Sequence, residues 1–256
     1  MLRLERESRI IEWLKRTRIA QVSDLSKALG VSENTVRRDL HRLGKMGVLR
    51  RVYGGAVLNE NSQGLDEVGW QERESMFGEE KEKIGRAGAE MAKNDEAIIL
   101  DAGTTTMQIA RFMDNRTNLI AVTNAVNIAS ELSQKEDITV VLTGGVFRKI
   151  SVSLVGPQAE YFFHNEIYVD KAFISAGGVS VEAGVTNANS AEIPTKKAMI
   201  RAAREVILVV THDKIGKRSF SQIVPIREMD KIITGKDSSQ KQVELIRKQG
   251  VEVILV

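Results

Sequence analysis

A chain of 256 residues with 42% hydrophobic content is long enough to bury a sizeable core, as one large domain or two smaller ones. It has no cysteine, which excludes disulfides, thiolate metal sites and cysteine nucleophiles and fits a cytoplasmic protein. Net charge is only +3, but residues 1–58 carry 13 Lys+Arg against 6 Asp+Glu while the remainder carries 24 against 28, so a basic head on an acidic body suggests a polyanion-binding module joined to something else. No stretch approaches the ~18 apolar residues of a membrane span. The basic N-terminus also carries acids and lacks a small-residue cleavage site, unlike a signal peptide.

Residues 3–17 suit a first helix, with Ile10, Ile11 and Leu14 on one side. Ser23 is placed to cap a second helix and Gly30 to end it. Val31 turns the chain, and Ser32 offers its hydroxyl to open a third helix. There Val36, Leu40 and Leu43 fall at i, i+4 and i+7 as one apolar stripe. Asn34, Thr35, Arg37, Arg38, His41 and Arg42 are left on the remaining surface. Gly47 ends the run, and two short β-like runs around Tyr53-Gly54-Gly55 read as a hairpin. This order is the plan of a winged helix-turn-helix, whose third helix enters the DNA major groove. Arginine suits phosphate oxygens and guanine edges alike, and Asn34 suits adenine. Arg50 and Arg51 on the hairpin are placed to grip the backbone. Residues one apart point in different directions, so either both adjacent arginines touch DNA or one pairs with Asp39 or Glu33.

Residues 59–80 are polar and acidic. Their first part reads as a linker, and their second as the start of a helix running through "KEKIGRAGAEMA". Trp70 and Phe77 read as packing anchors. From residue 97 strands alternate with helices: "AIILDAG", "TTTMQIARFM", "LIAVTN", "AVNIASELS", "ITVVLTGG", "KAFISAGG", "AEIPTKKAMIRAA", "EVILVVTHD", "KIITG", "SQKQVELIRKQ", "VEVILV". Such alternation predicts a Rossmann-like parallel sheet with helices on both faces. The fold class expected is α/β: a small winged helix-turn-helix domain over 1–58, a linker and helix start over 59–80, and a larger domain over 81–256.

Ligands of such sheets bind beyond the carboxyl ends of the strands. Those ends read "DAGTTT", "TN", "TGG", "SAGG" and "THDK". Gly103 lets the backbone approach a ligand, and the amides and hydroxyls of Thr104, Thr105 and Thr106 at a helix start suit a phosphate. The alternative is a plain strand–helix turn. Asp213 and Lys214 form either a solvated ion pair or a counter-charge for a phosphoryl group. There is no G-x-G-x-x-G after the first strand and no G-x-x-x-x-G-K-[ST], so no nucleotide cofactor is expected. His41, His164 and His212 form no ligand pair, so no metal is expected.

The stretch "LGVSENTVRRDLHRLGKMGVLRRVYGGAV" resembles the signature of the DeoR family of bacterial transcriptional regulators, through Ser32, Thr35 to Leu40, Leu43, Gly47 and Gly54 to Ala56. The body is similar to the same family's effector domain, itself similar to sugar-phosphate isomerases, through "DAGTTT", "VTN", "LTGG", "VDKAF", "GVT", Glu192 and "DK". The resemblance implies a regulator, most often a repressor, of sugar-metabolism genes. Its DNA contacts would be Ser32, Asn34, Thr35, Arg37, Arg38, Arg42, Arg50 and Arg51 on double-stranded operator DNA. A phosphorylated sugar would release it, held by Asp101, Gly103 to Thr106, Thr123, Asn124, Gly144, Gly145, Gly177, Gly178, Glu192 and Lys214. A homo-oligomer, dimer or tetramer, located in the cytoplasm with the nucleoid, is expected. The alternative is an isomerase-like enzyme with an accessory DNA-binding head. A ribose-phosphate isomerase carries carboxylates where this chain has Ser175-Ala176-Gly177-Gly178, so binding without turnover, with no catalytic residue, is expected.

Overall fold

The computed structural model describes residues 3–17, 19–45, 49–52, 54–58 and 68–256. The chain divides into two compact units, Met1–Leu65 and Asp66–Val256. In the smaller unit α1 (Arg3–Thr17), β1 (Ile19–Gln21), α2 (Val22–Leu29), α3 (Glu33–Lys45), β2 (Leu49–Val52) and β3 (Gly55–Leu58) follow one another. Ile10 and Leu14 of α1, Leu25 of α2, and Val36, Leu40 and Leu43 of α3 are buried, so the apolar stripe of α3 faces the head's own core. Gly30 takes φ 64° and ends α2 with its N–H on Ser26 O, a left-handed cap glycine adopts without strain. Ser32 Oγ accepts from the Thr35 N–H at 3.3 Å and opens α3. Ser23 does not cap α2. That helix begins at Val22 with Gln21 before it, which leaves Ser23 inside the first turn.

β2 and β3 pair antiparallel as the hairpin, while Tyr53 and Gly47 lie outside the described residues. A third strand, β1, pairs with β3 to give the order β1-β3-β2. Three residues between two helices carry no alternation, so nothing local marks β1 as a strand. Gly55 permits the pairing, because a Cβ there would lie 2.2 Å from Ala20 O.

The larger unit opens with two helices, α4 (Trp70–Ser75) and α5 (Gly78–Met91), where the sequence predicts one. Phe77 separates them. At φ 55° it sits in the left-handed region, which a right-handed helix cannot pass through. This unit begins at Asp66, so the second half of the 59–80 stretch belongs to it, while residues 59–67 lie outside those described. There follow β4 (Ala97–Leu100), α6 (Thr104–Arg111), β5 (Leu119–Thr123), α7 (Val126–Leu132), β6 (Ile138–Leu142), β7 (Val146–Arg148), β8 (Ser153–Val155), α8 (Pro157–Asn165) and β9 (Val169–Ile174). Then come β10 (Gly178–Ser180), β11 (Gly184–Asn187), α9 (Ile193–Ala202), β12 (Ala203–Val209), β13 (Ser221–Val224), β14 (Lys231–Thr234), α10 (Gln240–Arg247) and β15 (Glu252–Leu255).

Seven strands form one sheet in the order β15-β14-β12-β9-β4-β5-β6, every pairing parallel. Successive side chains point to opposite faces. Ile98, Leu100, Ala121, Phe173 and Ile207 join Ile84 of α5, Ile109 of α6 and Ile128 of α7 in one core. Ile99, Val122, Ala172, Ile174 and Leu208 join Phe163 of α8, Met199 of α9 and Val243 of α10 in the other. Helices therefore cover both faces, and the central strands are largely apolar because most of their residues are buried. The hairpin β7–β8, α8 and the antiparallel sheet β10-β11-β13 add to the predicted elements. From β4 the chain builds outward through β5 to β6, then returns to set β9 on the other side of β4. The order reverses there, and in open α/β sheets ligands bind at such a reversal, beyond the carboxyl ends of the strands.

Candidate functional site

In the head, Arg37 and Arg38 are both exposed on α3. Arg37 Nη2 meets Glu33 at 2.7 Å, one helical turn back, and Nη1 reaches Asn34 Oδ1 at 3.4 Å. Arg38 has no ion-pair partner among the described residues. Asp39 pairs with neither arginine. It is buried and takes Arg6 Nε at 2.5 Å, a bond that raises the Arg6 pKa. Arg42, expected on the DNA face, pairs with Glu7 of α1, whose side chain is buried. That pairing satisfies a buried carboxylate that would be costly alone, while about a third of the Arg42 side chain stays exposed. Ser32 and Thr35 hydroxyls meet at 3.0 Å, and Arg51 of the hairpin reaches His41 of α3 at 3.4 Å. The Arg50 side chain lies outside the described residues.

In the larger unit Asp101 ends β4, with 1% exposure. Its carboxylate accepts from the Ser175 N–H at 2.8 Å and Ser175 Oγ at 2.6 Å, and from the buried Lys196 ammonium. Gly103 N–H donates to Thr106 Oγ1 at 2.9 Å, and that hydroxyl donates to Asp101 O at 2.5 Å. A Cβ on Gly103 would lie 2.6 Å from Ser175 Cβ, so glycine lets the β4 and β9 ends close on each other. Thr104 and Thr105 are buried in the same turn.

Farther along the strand ends, the Thr123 hydroxyl donates to Leu100 O at 2.7 Å and accepts from the Ala125 N–H at 3.0 Å. Asn124 Nδ2 donates to Leu154 O at 2.9 Å. Gly144 and Gly145 are exposed, as is Gly177, while Gly178 is buried at the start of β10. Glu192 accepts from Asn187 Nδ2 at 2.7 Å and pairs with Arg148. Four buried polar atoms from this region have no hydrogen-bond partner among the described residues: Asn124 Oδ1, Thr143 Oγ1, Thr195 Oγ1 and Arg73 Nε.

Lys214 follows β12. Its ammonium is pushed down to about 8, chiefly by burial, with Asp213 opposing and Arg73, Lys81 and Lys196 adding to the shift. Lys81 of α5 is likewise lowered to about 8 by burial and by Arg73, against Asp213, Glu74 and Glu80. Lys81, Lys196, Lys214 and Arg73 thus interact with one another, with Asp213, Glu74, Glu80 and Asp101 among them. Lys81, Lys196 and Arg73 escape the sequence reading. The two lysines nonetheless leave a signal, since each sits on a buried helical stripe: Lys81 with Ile84, Gly85 and Gly88, Lys196 with Ile193, Met199 and Ile200. A lysine on an apolar face needs a partner or a task. Among the described residues, no group of three or more metal-ligating side chains is assembled, and no helix is long and apolar enough to cross a membrane.

The models of two protein families match the chain. Residues 6–62 match a DeoR-like helix-turn-helix domain, and residues 77–236 match the DeoR C-terminal sensor domain. The chain belongs to the DeoR family. Whole-length relatives agree. The HTH-type transcriptional regulator GlpR of Haloferax volcanii is 35% identical, over 99% of this chain and 98% of its own. The HTH-type transcriptional repressor GlcR of Bacillus subtilis is 33% identical over 100% and 97%, and the glycerol-3-phosphate regulon repressor of Escherichia coli K12 is 32% identical over 91% of each. Ribose 5-phosphate isomerase A of Methanocaldococcus jannaschii shares 18% identity over 52% of each chain, with a TM-score of 0.38. This DeoR-family protein is accordingly a transcriptional regulator that binds DNA through its head and carries a sensor domain.

Proposed function

We propose that this DeoR-family regulator represses sugar-metabolism genes and leaves its operator when a phosphorylated sugar occupies the sensor domain. The observation that carries the reading is the pair of partly or wholly buried lysines, Lys81 and Lys214, each lowered to about 8, in one chain with a helix-turn-helix head. Arg38, Arg37, Asn34, Thr35 and Ser32 at the start of α3, with Arg50 and Arg51 of the hairpin, contact the duplex. Lys214, Lys81 and the turn Gly103 to Thr106 hold the phosphoryl group. Asn124, Gly144, Gly145, Gly177, Gly178 and Glu192 surround the sugar, while Asp101 and Thr123 shape the turns. The relatives' printed names, a glycerol-3-phosphate regulon repressor among them, fit such an effector.

Binding occurs without turnover. Isomerisation needs a positioned base within hydrogen-bond reach of the reacting carbon's proton, whereas Asp101 is held by Ser175 and Lys196 and Glu192 by Arg148 and Asn187. The active form is a homo-oligomer in the cytoplasm, with heads set to matched half-sites. A 100-fold fall in operator affinity requires about 2.8 kcal/mol of differential effector binding, within reach of one set of charge-assisted phosphate contacts. Fluorescence anisotropy on operator DNA, with and without a panel of pentose, hexose and amino-sugar phosphates, tests the reading. One phosphate ester should release the DNA while its unphosphorylated parent does not. In Thr105→Glu the ratio of operator affinities without and with that ester should fall to about 1. A normal ratio there, or steady conversion of the ester, sinks the proposal.

A further inference from the structure

Arg73 lies on α4, in the part of the 59–80 stretch that reads as the start of a helix. Its Nε is buried and has no acceptor among the described residues. The carboxylates that act on Lys81 and Lys214, and Asp101 beside Lys196, have other partners. Glu74 takes Arg111 at 2.8 Å. Glu80 takes the His212 N–H at 2.7 Å and faces His212 Nδ1 at 2.8 Å. Asp101 takes Lys196, and Asp213 takes the Thr211 hydroxyl at 2.5 Å. The Lys81 ammonium, itself buried, donates to the Arg73 carbonyl and so holds a second cation against α4. A guanidinium kept beside ammonium groups with an unpaired buried donor is unfavourable unless an anion completes the set. Arginine's planar fork is suited to two oxygens of one phosphate.

α4 is also tied to neighbouring elements. The Trp70 N–H donates to Ile150 O at 2.9 Å, between β7 and β8, and Glu74 pairs with Arg111 of α6. We propose that Arg73 is an effector-binding residue that closes the anion site from α4, so that the phosphoryl group held by Lys214 and Lys81 also fixes the helix through which the chain enters the sensor domain. The inference rests on the strand ends being a phosphoryl site. It adds that the contact is made by α4, the first described helix of the sensor unit.

Calorimetric titration of the full chain with inorganic phosphate, together with hydrogen exchange over residues 70–77, tests it. Phosphate should slow exchange in α4. Arg73→Gln should raise the phosphate Kd at least 10-fold, about 1.4 kcal/mol, and remove that protection. Arg73→Lys should keep the charge but lose the fork, with an intermediate Kd, and it decides the matter should the glutamine variant fold poorly. Phosphate bound equally tightly by the unsubstituted chain and both variants, with α4 protected alike, overturns the proposal. Lys214→Ala separates the two levels. Binding weakened by Lys214→Ala but not by either Arg73 variant leaves the strand-end site and removes Arg73 from it, and binding that neither position affects removes both.

Discussion

A helix turns about 100° per residue, so Arg37 and Arg38 are neighbours in sequence but not in surroundings. Arg37 is held by Glu33, and Arg38 extends free of acids. Arg38→Ala should weaken operator binding, relax preference at one base pair by about 1–3 kcal/mol if it reads a base edge, and otherwise lower the salt slope by about 1. Competition binding against single-base operator variants at two salt concentrations measures this. Arg42→Ala should instead appear in urea denaturation, as a loss of about 1–3 kcal/mol, because it strands buried Glu7. Lys196 and Asp101 pose the same question deeper inside. Breaking this buried pair with Lys196→Ala should cost about 3–5 kcal/mol, and Asp101→Asn with Lys196→Met should restore much of it. A double variant no more stable than the single one would show that Asp101 needs more than charge compensation. Lys81 and Lys214 set a pH window. Both titrate near 8 in the fold against about 10.4 unfolded. A lysine lowered on folding weighs against the native state below pH 8, and the penalty fades as pH rises from 8 toward 10.4. Stability of the free protein should therefore gain from these groups across that window, while phosphate affinity falls as the amines lose charge. Melting curves with and without phosphate should converge by about pH 10.

At the scale of elements, close approaches distinguish what periodicity can and cannot foretell. The stripe of α3 and the apolar strands are local patterns, and they fold as their spacing implies. β1 is different. It exists because Gly55 admits Ala20 O to where a Cβ would stand, and Gly55→Ala should destabilise the head by about 1–3 kcal/mol, read as a lower midpoint for the head's own unfolding. Gly85 does the same for α5 on α6, since a Cβ would meet Gln108 Cβ at 2.4 Å. The break at Phe77 is also a tertiary outcome. Phe77 lies edge-on to His212, ring centroids 5.1 Å apart, and Glu80 one turn on is bound to the same histidine. Those contacts hold the corner in a conformation that local propensity would not choose.

Across the whole molecule, the basic head and acidic body keep polyanion binding in the first 58 residues, while the body gathers cations in one place only by folding. The sequence by itself determined the two-part plan, the helix-turn-helix, the alternation that makes a parallel sheet, and the glycine- and threonine-rich turns at its strand ends. Each is written in spacings of one to seven residues, where backbone geometry alone sets which side chains share a face. Only the tertiary structure decided that Lys196 serves Asp101 across 95 positions, that Arg42 pairs with Glu7, and that Arg73 of the 59–80 stretch and Lys81 just after it come near enough to Lys214 to lower its pKa. The strand order reverses between β4 and β9, and that reversal brings residues far apart in the chain to one point. Their charges interact through space within a few ångströms, a distance that no local spacing encodes.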